Sequence, residues 1–250
     1  MVPKIHILPL FILLILISTV SSSDTRLLYL TLQPETYKTW YFQSGELLVE
    51  NNLLRGSQFN LITPVSQVDL NANSVPETVI VQGEKTSITE NGLIVWQSPS
   101  DWKIKHAQVT DLNHDQAPEV TLLLWRTYRP WPIDIFLIHP GKIQGYQDRE
   151  GNSCHIILIG WKRDMYREVW AGSPMQYPLL SIVVADVDDD QQEELVSLET
   201  RYDRIEQTPA ISLSVWEWNG FGFSLLARQD GLFSELQIAR INDRMIILTW

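Results

Sequence analysis

Cysteine is almost missing from this chain, because Cys154 is the only one among its 250 residues. A single cysteine excludes an intramolecular disulfide, and it excludes a zinc site built from several thiolates. If the protein works outside the cytosol, its stability must therefore come from core packing, from sheet closure or from bound ions.

Positive charge is also scarce. The chain has 19 lysines and arginines against 30 aspartates and glutamates, which gives a formal net charge of −11. Binding to nucleic acid needs clusters of basic side chains for the phosphates, and binding to anionic lipid surfaces needs them for the headgroups. The sequence therefore predicts no nucleic-acid partner. Its acidity fits either plain solubility or cation binding.

Motifs of the common catalytic classes are missing as well. The chain shows no nucleophile elbow, no phosphate-binding loop, no dinucleotide fingerprint and no kinase signature. Its histidines have no spacing typical of zinc ligands. Carboxylates are numerous enough for a glycosidase pair, so a carbohydrate-active hydrolase or lyase is the alternative. The sequence predicts a protein that is not an enzyme.

The first residues predict export. Lys4 is followed by an uncharged apolar run of 14 residues over 7–20 and then by Ser21, Ser22 and Ser23, the layout of a secretory signal peptide. A helix of that run covers about 21 Å, less than a hydrocarbon core of roughly 30 Å. We predict a signal peptide over 1–23 and an exported domain over 24–250 that is secreted, periplasmic or at the cell surface. The alternative is an uncleaved hydrophobic anchor helix, the only predicted membrane attachment.

Beyond this segment no long helical periodicity is present, and short apolar runs alternate with turn residues. Asn91-Gly92, Pro140-Gly141 and Asn219-Gly220 are strong turn signals between such runs. The pattern predicts an all-β domain of hairpins. The main predicted strands are 78–81, 93–96, 120–125, 133–138, 155–160 and 212–218.

One acidic loop pattern occurs three times, with oxygen-bearing side chains at positions 1, 3, 5 and 9 of each copy. Apolar or β-branched residues precede each copy, and an apolar run follows its glutamate. Each copy is thus predicted to connect two strands. The residues at these positions are Asp69, Asn71, Asn73 and Glu77 in the first copy, Asp111, Asn113, Asp115 and Glu119 in the second, and Asp186, Asp188, Asp190 and Glu194 in the third.

These loops resemble those of bacterial FG-GAP and VCBS-type repeats, whose blades carry an aspartate-rich turn between strands. The run VWEWNGFGF over 215–223 resembles a motif found late in such blades. The similarity covers roughly residues 60–250 and is specific at the loops. The resemblance implies a β-propeller that is usually exported. It implies no single activity, because members serve in adhesion, in carbohydrate contexts and in structural roles.

The spacing of the loops predicts the blades. The intervals are 42 and 75 residues, and the first fits a four-stranded blade of roughly 40 to 50 residues. We predict that the longer interval is one blade with an insertion at 126–132. A fourth unit without ligands is predicted at 238–241, and strands at 27–32 and 245–250 are predicted to pair and close the ring. The expected fold is a propeller of four or five blades, and an open β-sandwich is the alternative.

The loops offer ligands for a hard cation. Ca²⁺ takes six to eight oxygens from carboxylates, amides and carbonyls. We predict structural Ca²⁺ at Asp186, Asp188, Asp190 and Glu194, and at Asp111, Asn113, Asp115 and Glu119. The similar loops of the family carry glycine at position 6, where this chain has Ser74, Gln116 and Gln191, so the turn is expected to be strained. The alternative is an Asx-type turn without metal.

Two groups of aromatic residues have different predicted roles. Trp96, Trp170 and Trp216 are predicted to pack between blades. A recognition surface is predicted in and beside the insertion, because loops on a rigid scaffold usually carry binding residues. This surface comprises Trp125, Arg126, Arg129 and Trp131. Together these features predict an exported binding or scaffold module for a protein or a glycan.

Overall fold

A computed structural model describes residues 37–49, 60–62, 66–129, 145–204, 209–241 and 244–250. Apart from a 3-10 turn at Tyr202–Arg204, the regular elements of these residues are strands, so the predicted all-β class is confirmed. The strands are β1 Lys38–Gln43, β2 Glu46–Val49, β3 Asn60–Leu61, β4 Gln67–Val68, β5 Glu77–Gln82, β6 Lys85–Glu90, β7 Leu93–Gln97, β8 Lys103–Thr110, β9 Glu119–Thr127, β10 Asn152–Trp161, β11 Tyr166–Ala171, β12 Leu179–Ala185, β13 Glu194–Glu199, β14 Ala210–Trp218, β15 Phe223–Phe233, β16 Leu236–Ile241 and β17 Arg244–Thr249.

Four antiparallel sheets form a four-bladed propeller. Blade 1 is β4-β5-β6-β7, blade 2 is β8-β9-β10-β11, and blade 3 is β12-β13-β14-β15. Blade 4 joins both ends of the described chain, in the order β2-β1-β17-β16-β3. The blade count lies within the predicted range, and the open β-sandwich is excluded. The 75-residue interval is indeed one blade, because β9 pairs with β10 across the segment 128–151.

The chain ends close the ring as predicted, but with a different strand. β17 pairs with β1, with Lys38 opposite Thr249 and Trp40 opposite Ile247. The ring of Trp40 is buried and its Nε1 donates to Thr249 Oγ1 at 2.8 Å, which fixes this register. The prediction that 27–32 is the closing partner was therefore wrong, because the partner lies further along the chain. Segment 27–32 itself is outside the described residues.

Hydrophobic packing between blades holds the propeller together. The apolar residues that alternate along the strands form one cluster between blades 1 and 2, one between blades 2 and 3, and one between blades 3 and 4. The predicted packing tryptophans are half-buried against two of these clusters. Trp170 of blade 2 meets Trp218 and Phe223 of blade 3 edge to face, both at 5.3 Å between ring centroids.

A buried glutamine fastens blade 2 to blade 3 next to the ring interior. The side chain of Gln108 on β8 donates from Nε2 to the carbonyl of Val184 on β12 at 2.7 Å and accepts the Val184 N–H at 3.1 Å. An amide side chain thus makes the two hydrogen bonds that a neighbouring strand would make. The first strands of these blades are held at a fixed distance where their acidic loops begin.

Within the described ranges no helix is long and apolar enough to cross a membrane. The predicted signal peptide or anchor at 1–23, the predicted strand 133–138, the Pro140-Gly141 turn and Trp131 lie outside those ranges.

Candidate metal-binding loops

The three acidic loops occupy the same corner of their blades. Loop 1 (69–77), loop 2 (111–119) and loop 3 (186–194) each connect the first strand of a blade to the second. The equivalent turn of blade 4, 242–243, lies outside the described residues. The prediction that Asp69, Asp111 and Asp186 mark equivalent corners of one ring is confirmed.

The same hydrogen bonds shape all three loops. The carboxylate at position 1 accepts the backbone N–H groups of positions 5 and 6 over 2.8 to 3.2 Å. The side chain at position 5 accepts the N–H of position 7 at 2.7 to 3.0 Å. These bonds depend on oxygen acceptors at positions 1 and 5, which explains why every copy has aspartate at position 1 and asparagine or aspartate at position 5.

The missing glycine does not change the turn. Positions 4 and 6 have positive φ in every loop, between 57° and 72°. At position 6 these residues are Ser74, Gln116 and Gln191, so side-chain-bearing residues adopt the left-handed conformation that favours glycine. Each such residue costs roughly 1 kcal/mol. The strain expected from the sequence is present, and the loop geometry is kept in spite of it.

A glutamate at position 9 is buried beneath each loop. Glu77 is 0%, and Glu119 and Glu194 are each 2% exposed. In loop 1 and loop 3 the Oε2 atom accepts the backbone N–H of position 2, at 2.8 Å from Leu70 and 2.9 Å from Val187. A buried carboxylate needs such donors or a cation, because its desolvation is costly.

Loop 1 satisfies its glutamate with protein donors. Asn71 Nδ2 and the Tyr166 hydroxyl, which comes from blade 2, both donate to Glu77 Oε1. Asn73 Nδ2 donates to Glu90 Oε1 at 2.7 Å. The Asn71 amide and the Tyr166 hydroxyl thus pair the buried Glu77, and the Asn73 amide pairs Glu90, so the carboxylates of loop 1 need no cation.

Loop 2 leaves its glutamate incompletely paired. Oxygens of Asp111, Asp115 and Glu119 lie within 4.8 Å of one another. Asn113 Nδ2 donates to Glu119 Oε1 at 2.6 Å, but the buried Oε2 atom has no hydrogen-bond partner. Burial, with the nearby charges of Asp115 and Asp111, raises the pKa of Glu119 to about 8. This group could hold a metal ion, whose charge would compensate the unpaired oxygen.

Loop 3 carries the densest negative charge. Oxygens of Asp186, Asp188 and Glu194 lie within 4.8 Å of one another. Asp190 is not part of this group, and its Oδ1 atom accepts the Gln192 N–H at 2.7 Å. Burial and then the neighbouring aspartates raise the pKa of Glu194 to about 8. Oxygen-only donors of this kind suit a hard cation such as Ca²⁺.

Of the four residues of the predicted recognition surface, the structure describes Trp125, Arg126 and Arg129, and Trp125 does not lie at the surface. Trp125 is 6% exposed and meets Tyr202 edge to face at 5.6 Å. Arg126 is half-buried over the ring of Trp102 at 5.7 Å. Arg129 is exposed and pairs with Asp101 at 3.0 Å. Trp125 therefore packs in the core, because β9 is buried over most of its length.

A cavity near the 3-10 turn was not predicted. Its volume is about 630 Å³, and it lies where segments 145–149, 176–177 and 201–203 meet. Tyrosines, arginines and carboxylates line it, and Arg201 and Asp203 form a two-point ion pair at 3.0 and 3.2 Å. Lining residues from such distant segments follow no sequence spacing, so no sequence signal indicates them.

No protein-family model matches this chain, and no curated protein matches it in sequence.

Proposed function

We propose that this protein is an exported, non-enzymatic binding or scaffold module of the FG-GAP/VCBS type, with structural Ca²⁺ in loop 2 and loop 3. The observation that carries the cation function is the buried Glu119, whose Oε2 atom has no hydrogen-bond partner beside the carboxylates of Asp111 and Asp115. A buried carboxylate without a donor is neutralised by a proton or by a cation, and the neighbouring carboxylates of Asp111 and Asp115 supply the further oxygens that a cation requires.

The role of the ions follows from where the loops are. Each joins the first two strands of its blade, so a cation there would hold the strand ends together without contributing to catalysis. The chain has no disulfide to do so. Ion binding to the folded state alone stabilises it by about 2.7 kcal/mol at a hundred times the dissociation constant.

The test is a melting experiment on chelator-treated protein. Millimolar CaCl₂ should raise the melting temperature by about 5 to 10 °C in a domain of this size, and the double variant Glu119→Gln with Asp188→Asn should lose this shift. The exposed pair Glu46→Gln with Glu235→Gln removes the same charge outside the loops and should respond like wild type. Absence of a shift in wild type would leave the loops as turns alone.

Export and partner need separate measurements. Mass spectrometry of the exported protein should find a chain that begins after Ser22 or Ser23, whereas an intact amino terminus would support the anchor. The cavity of about 630 Å³ favours a glycan as the ligand, because tyrosine rings stack on sugar faces while arginine and aspartate bind hydroxyls. A glycan array tests this, and turnover of a bound sugar would favour the carbohydrate-active enzyme instead.

A further inference from the structure

Loop 3 departs from the repeat at position 8. Loop 1 and loop 2 have proline there, as Pro76 and Pro118, whereas loop 3 has Glu193. A proline side chain cannot accept a hydrogen bond, whereas a glutamate side chain can. The Oε2 atom of Glu193 accepts the backbone N–H of Asp111 at 2.7 Å. The residue that breaks the pattern in loop 3 thus contacts position 1 of loop 2.

At position 4 the three loops have different residues, and loop 2 has His114 where the others have Ala72 and Asp189. The Nε2 atom of His114 lies 3.0 Å from the carbonyl oxygen of Glu193. A carbonyl oxygen only accepts, so this contact requires the proton on Nε2. His114 and Glu193 therefore meet, and together they form a bridge of two hydrogen bonds between the loops.

Both ends of this Glu193 bridge adjoin candidate cation ligands. Asp111 is itself the position 1 ligand of loop 2, and Glu193 directly precedes Glu194, the position 9 ligand of loop 3. A cation that binds Glu194 restricts the conformations of the neighbouring Glu193. Glu193 in turn holds the main chain of Asp111 through its hydrogen bond to the Asp111 N–H. The two sites are thus joined by hydrogen bonds between their loops, and Gln108 also joins the preceding strands.

We propose that cation binding in loop 2 and in loop 3 is positively coupled through the Glu193 bridge, an inference that rests on the proposed cation function of both loops. A cation in loop 3 orders the bridge, so the cation that enters loop 2 next has less loop freedom to remove. Repulsion between the two ions opposes this, but both loops are open to solvent, where salt screens charges. Because binding free energies are linked, the effect is reciprocal.

The experiment is a calorimetric titration of CaCl₂ into the purified, chelator-treated protein. Glu119→Gln leaves loop 3 as the intact site, and Asp188→Asn leaves loop 2. The product of these two single-site affinities is the overall affinity expected for independent loops. Wild type should exceed that product by about five-fold or more.

Two variants of Glu193 separate the effect of its hydrogen bond from the effect of its negative charge. Glu193→Pro introduces the residue that the other loops carry at position 8. The turn and the backbone carbonyl that faces His114 should be kept, while the side-chain oxygen that accepts the Asp111 N–H is lost, and the coupling factor should fall towards one. Glu193→Gln keeps an oxygen that accepts the Asp111 N–H and should retain most of the coupling. Unchanged circular dichroism in both variants verifies the fold.

The outcomes distinguish the two proposals. Independent binding in wild type, or equal coupling in wild type and Glu193→Pro, overturns the bridge and leaves the cation function standing. A loss of coupling in Glu193→Gln as complete as in Glu193→Pro overturns its hydrogen-bond basis. No calcium heat at millimolar concentration in any of these proteins overturns the cation function, and the bridge with it.

Discussion

Loop 1 and loop 3 have the same main-chain geometry, but different side chains surround the buried glutamate of each loop. Both turn around an aspartate at position 1, and both bury a glutamate at position 9. Loop 1 surrounds its glutamate with amide and hydroxyl donors, whereas loop 3 surrounds its own with carboxylates. The shape of the turn therefore depends on positions 1 and 5. Its capacity for a cation depends on whether protein donors already occupy the interior.

The largest expected effect is on the pH dependence of the ion-free protein. The folded pKa of Glu119 and of Glu194 is about 8, against an ordinary value of 4.5. Between these values the folded chain retains protons that the unfolded chain has lost, so stability falls as the pH rises. Denaturant unfolding in chelator should show a loss on the order of several kcal/mol from pH 5 to pH 8.

The matched test of this effect uses charge-removing variants. Glu119→Gln with Glu194→Gln should flatten the decline, because both titrating groups are gone. Glu46→Gln with Glu235→Gln, which are exposed, should keep it. A decline of equal steepness in all three proteins would show that the acidic loops are not its source.

The second effect separates the roles of the position 1 aspartates. Asp69→Ala removes the acceptor of two backbone N–H groups and should cost about 3 kcal/mol with or without calcium. Asp186→Ala breaks the equivalent bonds but also removes a like charge beside Glu194, so its loss of unfolding free energy in chelator should be smaller than that of Asp69→Ala. In added calcium the loss caused by Asp186→Ala should be larger than in chelator, as measured by urea unfolding. Equal costs in both media for both variants would contradict the contrast between the loops.

The third prediction concerns a variant of loop 1 that carries carboxylates in place of its amide donors, as loop 3 does. Asn71→Asp with Asn73→Asp replaces amide donors to Glu77 and Glu90 by carboxylates. Unfolding in chelator should show a loss of about 2 kcal/mol, because buried Glu77 loses a donor and gains a like charge. Calcium should restore part of that loss. The exposed change Asn219→Asp serves as the control, and a double variant that is neither destabilised in chelator nor rescued by calcium would sink the idea.

The repeat explains how much of this molecule could be predicted. Three copies at fixed positions defined the strand ends on either side of each loop, and thereby the blades. The partner of β17 could not be chosen, because 27–32 and β1 both have strand-forming sequences. Only a contact such as Trp40 with Thr249, across 209 positions, decides between them.

For the candidate site as well, the sequence predicts the local features but not the contacts between distant residues. Ligand types and their order were readable from the spacing, because each loop is local in sequence. What fills each loop was not readable, since Tyr166 reaches Glu77 from 89 positions away and Glu193 reaches Asp111 from 82. The burial of Trp125 was also missed, because its neighbours in a turn-rich stretch suggested a surface, whereas pairing of β9 on both edges places it inside.

The smallest expected effect concerns the strained position 6, where the loops are alike. Gln116→Gly and Gln191→Gly should each stabilise the protein by about 0.5 to 1 kcal/mol, because glycine adopts positive φ without steric cost and this gain exceeds its greater unfolded-state entropy. Asn91→Gly is the control. Asparagine tolerates the left-handed region well, so that change at φ 49° should be almost neutral. If the glutamine variants were destabilised in urea unfolding, their side chains would have to make contacts that outweigh the backbone strain.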